Sequence, residues 1–177
     1  GETPAWMRNR LEAIGQRSIN NVVDVTNYIL HELGQPLHAF DRATLAQEKI
    51  VVRTAGPDGP FTTLDGQAHE LTEEDLVIAD GSQPQCLAGV MGGKGSGITE
   101  ATKQIFLEAA YFTPATIRGT QRRHGIFTDT AYRFARGTDP LMVENAAKRA
   151  ANLIQTLACG KAVHYVAEPP VTLLSPT

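Results

Sequence analysis

The hydrophobic period of this chain changes twice, and that change limits the fold more than any other feature. Before residue 34 the apolar residues recur at helical spacing. Between residues 49 and 112 they come in short runs, rich in branched and aromatic residues and cut by turn signals. After residue 113 the helical spacing returns. Helices, then a block of strands, then helices predict an α+β domain rather than alternating βα units. No linker or internal repeat divides the chain, so 1–177 reads as a single domain. Its start lacks Met and opens at Thr3-Pro4, already placed to begin a helix, which suggests a piece of a longer protein.

Thr3 and Pro4 read as N-cap and first helical residue, and Met7, Leu11 and Ile14 extend a helix over 4–14 that Gly15 stops. Val22, Val25, Ile29 and Leu33 mark a second helix over 21–33, ended by Gly34. Pro36 forces Gln35 out of helical geometry, so residues 35–41 read as a loop with an apolar lining. Strands are expected at 49–55, 61–64, 67–71, 76–79, 86–90 and 105–112. Asp65-Gly66 closes a hairpin. Thr113-Pro114 opens a helix to about Arg123. Asp139-Pro140 opens a long one carrying Val143, Ala147, Ala150, Ile154 and Leu157 to a stop at Gly160, and a last strand follows at 162–166.

Several chemistries fail on spacing. The cluster from Gly92 to Gly97 is not a P-loop, because Ala88 stands where the first glycine belongs and Gly95 where a hydroxyl residue follows Lys94. It is not a dinucleotide fingerprint, and Lys94 spoils a nucleophile elbow at Ser96. The five histidines and two cysteines show no metal-ligand spacing, so no metal is expected. Two cysteines this far apart in sequence form no disulfide framework, which fits a reducing cytoplasm. No run approaches the ~20 apolar residues of a membrane-spanning helix.

Three features stand out. His38 sits among apolar neighbours, where an imidazole can orient water. Glu108 is the one charge in the apolar run from Ile105 to Phe112, so it must face solvent, pair, or line a pocket. The net charge is −3, yet Arg118, Arg122, Arg123, Arg133 and Arg136 cluster with Asp129 as the single acid. That segment is either a solvated helix face or a handle for phosphates.

The strings RSINNVVDVTNYILHELGQPLHAFD, TLDGQ, DLVIAD, LAGVMGG, FLEAAYF, RRHG and TDTAYRFARGTDP, in this order, resemble the B3/B4 region of the bacterial phenylalanyl-tRNA synthetase β subunit. The resemblance implies a β-sandwich-like sheet core flanked by helices, and an editing activity that hydrolyses tyrosine wrongly esterified to tRNA(Phe). It implies catalytic roles for Thr26, Asn27, His38, Gly89 and Gly92, and substrate contacts by Glu108, Thr128 and Thr130. Arg118, Arg122 and Arg123 become candidates for holding tRNA. Where the family usually reads Thr-Asp-Ala-Ser, this chain reads Thr128-Asp129-Thr130-Ala131, a bulkier wall. Ala135 replaces a glutamate. The implied partners are tRNA(Phe), the α subunit and the remaining β-subunit domains. No cofactor is expected in this domain, with ATP and Mg2+ needed only by the full synthetase. Two alternatives remain: a noncatalytic tRNA-docking or interdomain scaffold, and a freestanding deacylase.

Overall fold

The computed structural model describes residues 1–56 and 58–161, so the strand expected at 162–166 lies outside the described residues. The fold is α+β, with five helices and only antiparallel strand pairs among these residues.

Helix α1 (Ala5–Ala13) buries Met7 and Leu11, one turn apart, and ends where Gly15 takes φ +81°. It begins one residue later than expected, because Pro4 is the flanking residue and Thr3 caps nothing. The Thr3 hydroxyl instead donates to the fully buried Asp24 carboxylate, which also accepts from the Ser18 hydroxyl and from the Ile19 N–H at 2.9 Å. Helix α2 (Asn21–Leu33) is capped by the Asn20 side chain, which accepts from the N–H groups of Val22 and Val23. Its buried face, Val22, Val25 and Ile29, outweighs the poor helix propensity of β-branched residues. Helix α5 (Met142–Leu157) packs on α2 through Ala146, Ala150 and Ile154, completing one apolar cluster. It starts later and stops earlier than the sequence suggests, since Asp139 turns the chain by accepting from the Leu141 N–H at 2.9 Å.

The expected loop at 35–41 is instead a strand, β1 (Leu37–Asp41). Proline excludes the helix but leaves extended backbone open, and β8 (Ile105–Ala109) supplies the partner in an antiparallel ribbon. The remaining strands are β2 (Val51–Thr54), β3 (Pro60–Thr62), β4 (Ala68–Glu70), β5 (Leu76–Ala79), β6 (Pro84–Leu87) and β7 (Met91–Gly92). Strands β2, β5, β6 and β7 form one sheet in that order, and β3 and β4 form the hairpin that Asp65-Gly66 closes. The run expected at 86–90 is interrupted, because residues after Leu87 turn through Gly89, at φ +66°, into β7. Phe40, Phe61, Val77, Ile78, Leu87, Val90 and Phe134 belong to a second apolar cluster.

Helix α3 (Pro114–His124) follows expectation. The unforeseen helix is α4 (Asp129–Arg136). Thr128 caps it by accepting from the Ala131 N–H at 3.0 Å, and it buries only Ala131, Phe134 and Ala135.

The β1–β8 ribbon stands between the two clusters. Leu37, Ala39, Ile105 and Leu107 join the helical cluster, while Phe40 joins the sheet cluster. Strand alternation therefore puts His38 on the same side as Phe40.

Candidate functional site

In the β1–β8 register His38 lies directly opposite Glu108. Both residues are half-buried, and protein crowds both side chains without a hydrogen bond to either ionisable end among the described residues. Burial lowers the His38 pKa from 6.5 to about 4 and raises that of Glu108 from 4.5 to about 7. At neutral pH the imidazole is uncharged, while the carboxyl group takes a proton far more readily than an exposed one. The Phe40 ring meets the imidazole edge to face, with centroids 4.4 Å apart. A Cβ at Gly92 would lie 2.7 Å from His38 Cε1 and 3.1 Å from Leu64 Cδ1, so only glycine leaves room for the ring.

Cys86 pairs with Gly92 between β6 and β7, and its thiol is a weak acid, raised first by burial and then by the charge of Glu108. Sequence reasoning missed this residue, since a cysteine in an apolar strand carries no other mark.

Gly89 and Thr128 reach this place indirectly. A Cβ at Gly89 would approach Phe112 Cδ2 to 2.7 Å and Ile117 Cδ1 to 2.8 Å, so the turn into β7 is pressed against the core. The Thr128 hydroxyl donates to the Val90 carbonyl at 2.8 Å and fastens the turn to α4. Thr26 and Asn27 sit on α2, which packs against β1 and whose apolar residues join the helical cluster, and the Thr26 hydroxyl donates to Val23 O of its own helix at 2.7 Å. No hydrogen bond or ring contact joins either residue to His38 or Glu108 among the described residues.

The arginine segment divides. Arg118 and Arg122 on α3 and Arg136 on α4 line a cleft of about 670 Å³ with Phe127, Thr128 and Tyr132. Thr130, on the same helix as Tyr132, is not part of its lining. Arg123, expected beside Arg118 and Arg122, is committed to an ion pair. Its Nη2 lies 2.7 Å from Asp75 Oδ1 and its Nη1 2.8 Å from Glu74 Oε2, while His124 Nε2 meets Asp75 Oδ2 at 2.9 Å. Burial pushes the Asp75 pKa up, but bonds from the Thr72 N–H, Arg123 and His124 outweigh it and leave the group at about 2. No helix among the described residues is long and apolar enough to cross a membrane.

The chain is similar over most of its length to known proteins. Over 161 residues the chain is 54% identical to the phenylalanine–tRNA ligase beta subunit of Porphyromonas gingivalis, covering 90% of this chain and 20% of that protein. It is 55% identical over 161 residues to the protein of the same name from Geobacter metallireducens, covering 91% and 20%. For that of Bdellovibrio bacteriovorus the identity is 53% over 162 residues, covering 92% and 20%. The chain thus spans about a fifth of the length of these relatives. The family model described as "B3/4 domain" matches residues 1–159, and on that match the chain belongs to the B3/4 domain family.

Proposed function

We propose that this chain is the editing domain of a phenylalanyl-tRNA synthetase β subunit, hydrolysing tyrosine wrongly esterified to tRNA(Phe). One observation carries the reading. Two ionisable side chains face each other across one strand pair, with their pKa values pushed in opposite directions by a shared apolar setting. The similarity to ligase beta subunits supplies the substrate class.

Phenylalanine and tyrosine differ by one hydroxyl, and a site built to bond that hydroxyl separates them far better than a cavity sized for the ring. Glu108 is the group that bonds it. The aminoacyl ester is already activated, so water serves as nucleophile. His38, neutral at working pH, orients that water, whose proton passes to the departing ribose oxygen as the ester breaks. Backbone N–H groups of the Gly89–Gly92 turn face the developing oxyanion. The bond between the carbonyl carbon and the ribose oxygen breaks, releasing tyrosine and free tRNA. No cofactor enters this scheme, and ATP and Mg2+ belong to amino-acid activation in the full synthetase. The partners are tRNA(Phe), the α subunit and the rest of the β subunit, in the cytoplasm.

In the full synthetase, Glu108→Ala should cut the preference for Tyr-tRNA(Phe) over Phe-tRNA(Phe) by about tenfold while phenylalanine activation persists, as expected for the loss of one hydrogen bond to a half-buried carboxyl group. Equal loss on both esters would mean that Glu108 does not read the hydroxyl. The basic cleft between α3 and α4 favours one other reading, a noncatalytic docking module. A wild-type synthetase that leaves Tyr-tRNA(Phe) intact would establish it.

A further inference from the structure

The α3–α4 cleft holds more than its arginines. Three guanidinium groups, Arg118, Arg122 and Arg136, stand against one carboxylate, and that carboxylate, Asp129, already accepts from Gln16 Nε2 at 2.8 Å. In a chain of net charge −3 this positive field is local. The cleft also presents two aromatic side chains to solvent, Phe127 at 76% exposure and Tyr132 at 53%. The Arg136 guanidinium carbon lies over the Tyr132 ring, 3.4 Å from its centroid, so the planar cation covers one ring face and offers its own outer face for stacking.

Basic walls with open planar faces match an unpaired nucleotide, whose phosphate is held by guanidinium groups and whose base stacks on a π surface. An acidic peptide would use the arginines and leave the aromatic faces without a role. The position fits too. Thr128 lines the cleft and donates to Val90 O, inside the turn between Gly89 and Gly92, so the cleft and the His38–Glu108 pair lie on either side of one short segment.

We infer that the α3–α4 cleft seats an unpaired nucleotide of the RNA strand whose esterified end enters the His38–Glu108 site. Its base lies on Phe127 and the Tyr132–Arg136 stack, and its phosphate on Arg118 and Arg122. The identity of the strand rests on the editing reading, whereas the preference for an unpaired nucleotide rests on the cleft alone. Arg123, held by Asp75, takes no part.

The test compares two esters in the full α–β synthetase: Tyr-tRNA(Phe), and 3′-O-tyrosyl-adenosine, which lacks every upstream nucleotide. Phe127→Ala and Arg122→Gln should each raise KM for the tRNA ester about tenfold with kcat retained, so that the KM advantage of tRNA over the small ester shrinks. Arg122→Gln should also lower the slope of log affinity against log salt by about 0.7. Equal effects on both esters, or no effect on either, would overturn the assignment. A second readout needs no hydrolysis: quenching of 2-aminopurine in a short unpaired RNA. Quenching by the wild-type enzyme that Phe127→Ala abolishes supports the cleft. Quenching that survives the substitution overturns it. Absence of quenching in the wild type also overturns it. If neither ester is hydrolysed, the editing reading falls, and the quenching experiment still decides the cleft.

Discussion

His38 and Glu108 pull the pH dependence of stability in opposite directions. The folded chain resists protonating His38 between about pH 4 and 6.5, so stability falls as pH drops through that window. It holds a proton on Glu108 between 4.5 and about 7, so stability falls as pH rises through that one. Where the windows overlap the two slopes nearly cancel. Glu108→Gln should therefore expose the histidine slope, with stability lost on acidification, and His38→Gln the carboxyl slope, with stability lost on raising pH. Each is at most about 1.4 kcal/mol per pH unit. Urea melts at several pH values check this, and parallel slopes in all three proteins would show that neither end is shielded from water. Gly92→Ala tests the packing of the same ring. A Cβ 2.7 Å from the imidazole should displace it, costing roughly 1–3 kcal/mol in stability and most of the ester hydrolysis.

The elements around the site are joined by a few polar fasteners. Asp75, fully buried, links the approach to β5 with the end of α3 through Arg123 and His124. Asp75→Asn leaves Arg123 without its buried partner and should cost about 3–5 kcal/mol. The wild-type contribution should vanish only as pH falls from 3.8 through about 2, since that is where the folded carboxylate takes its proton. Thr128→Ala removes both the cap of α4 and the bond to Val90, and a loss of about 2 kcal/mol by thermal melting is expected. Legibility in the sequence followed the same division. Gly15, Gly34 and Asp65-Gly66 announced their turns because a positive φ or a tight hairpin leaves few residue choices. Helix α4 stayed hidden because its buried side is mostly alanine and its other side reads as a charge run. Strand β1 stayed hidden because its partner lies some seventy residues away. Glu108 and His38 were legible as polar residues in apolar settings. That they pair was not, because register is set by the fold and not by either segment alone. Arg123 was grouped with its neighbours by charge, and the carboxylates of Asp75 and Glu74 separate it from them.

At the scale of the molecule, the two apolar clusters share the β1–β8 ribbon and should melt together. Leu11→Ala in the helical cluster and Leu87→Ala in the sheet cluster should each cost about 2–5 kcal/mol. Trp6, the single tryptophan, stacks edge-on against Tyr28 of the helical cluster, 5.4 Å between centroids, and so reports that side alone. If the clusters are one cooperative unit, Leu87→Ala should lower the Trp6 fluorescence midpoint as far as the midpoint from far-ultraviolet dichroism. An unmoved Trp6 transition would separate them.

The alternation of that ribbon gives it a parity. One set of residues belongs to the helical cluster, and the other holds His38 and Glu108 beside Phe40. Exchanging one residue for another preserves the parity; losing or gaining one inverts it, turning an imidazole into the helical packing and a leucine toward the sheet cluster. Along 37–41 and 105–109 the count of residues is thus fixed as firmly as the identities of His38, Phe40 and Glu108. Changes of length are confined to the turns outside the ribbon, where no face is at stake.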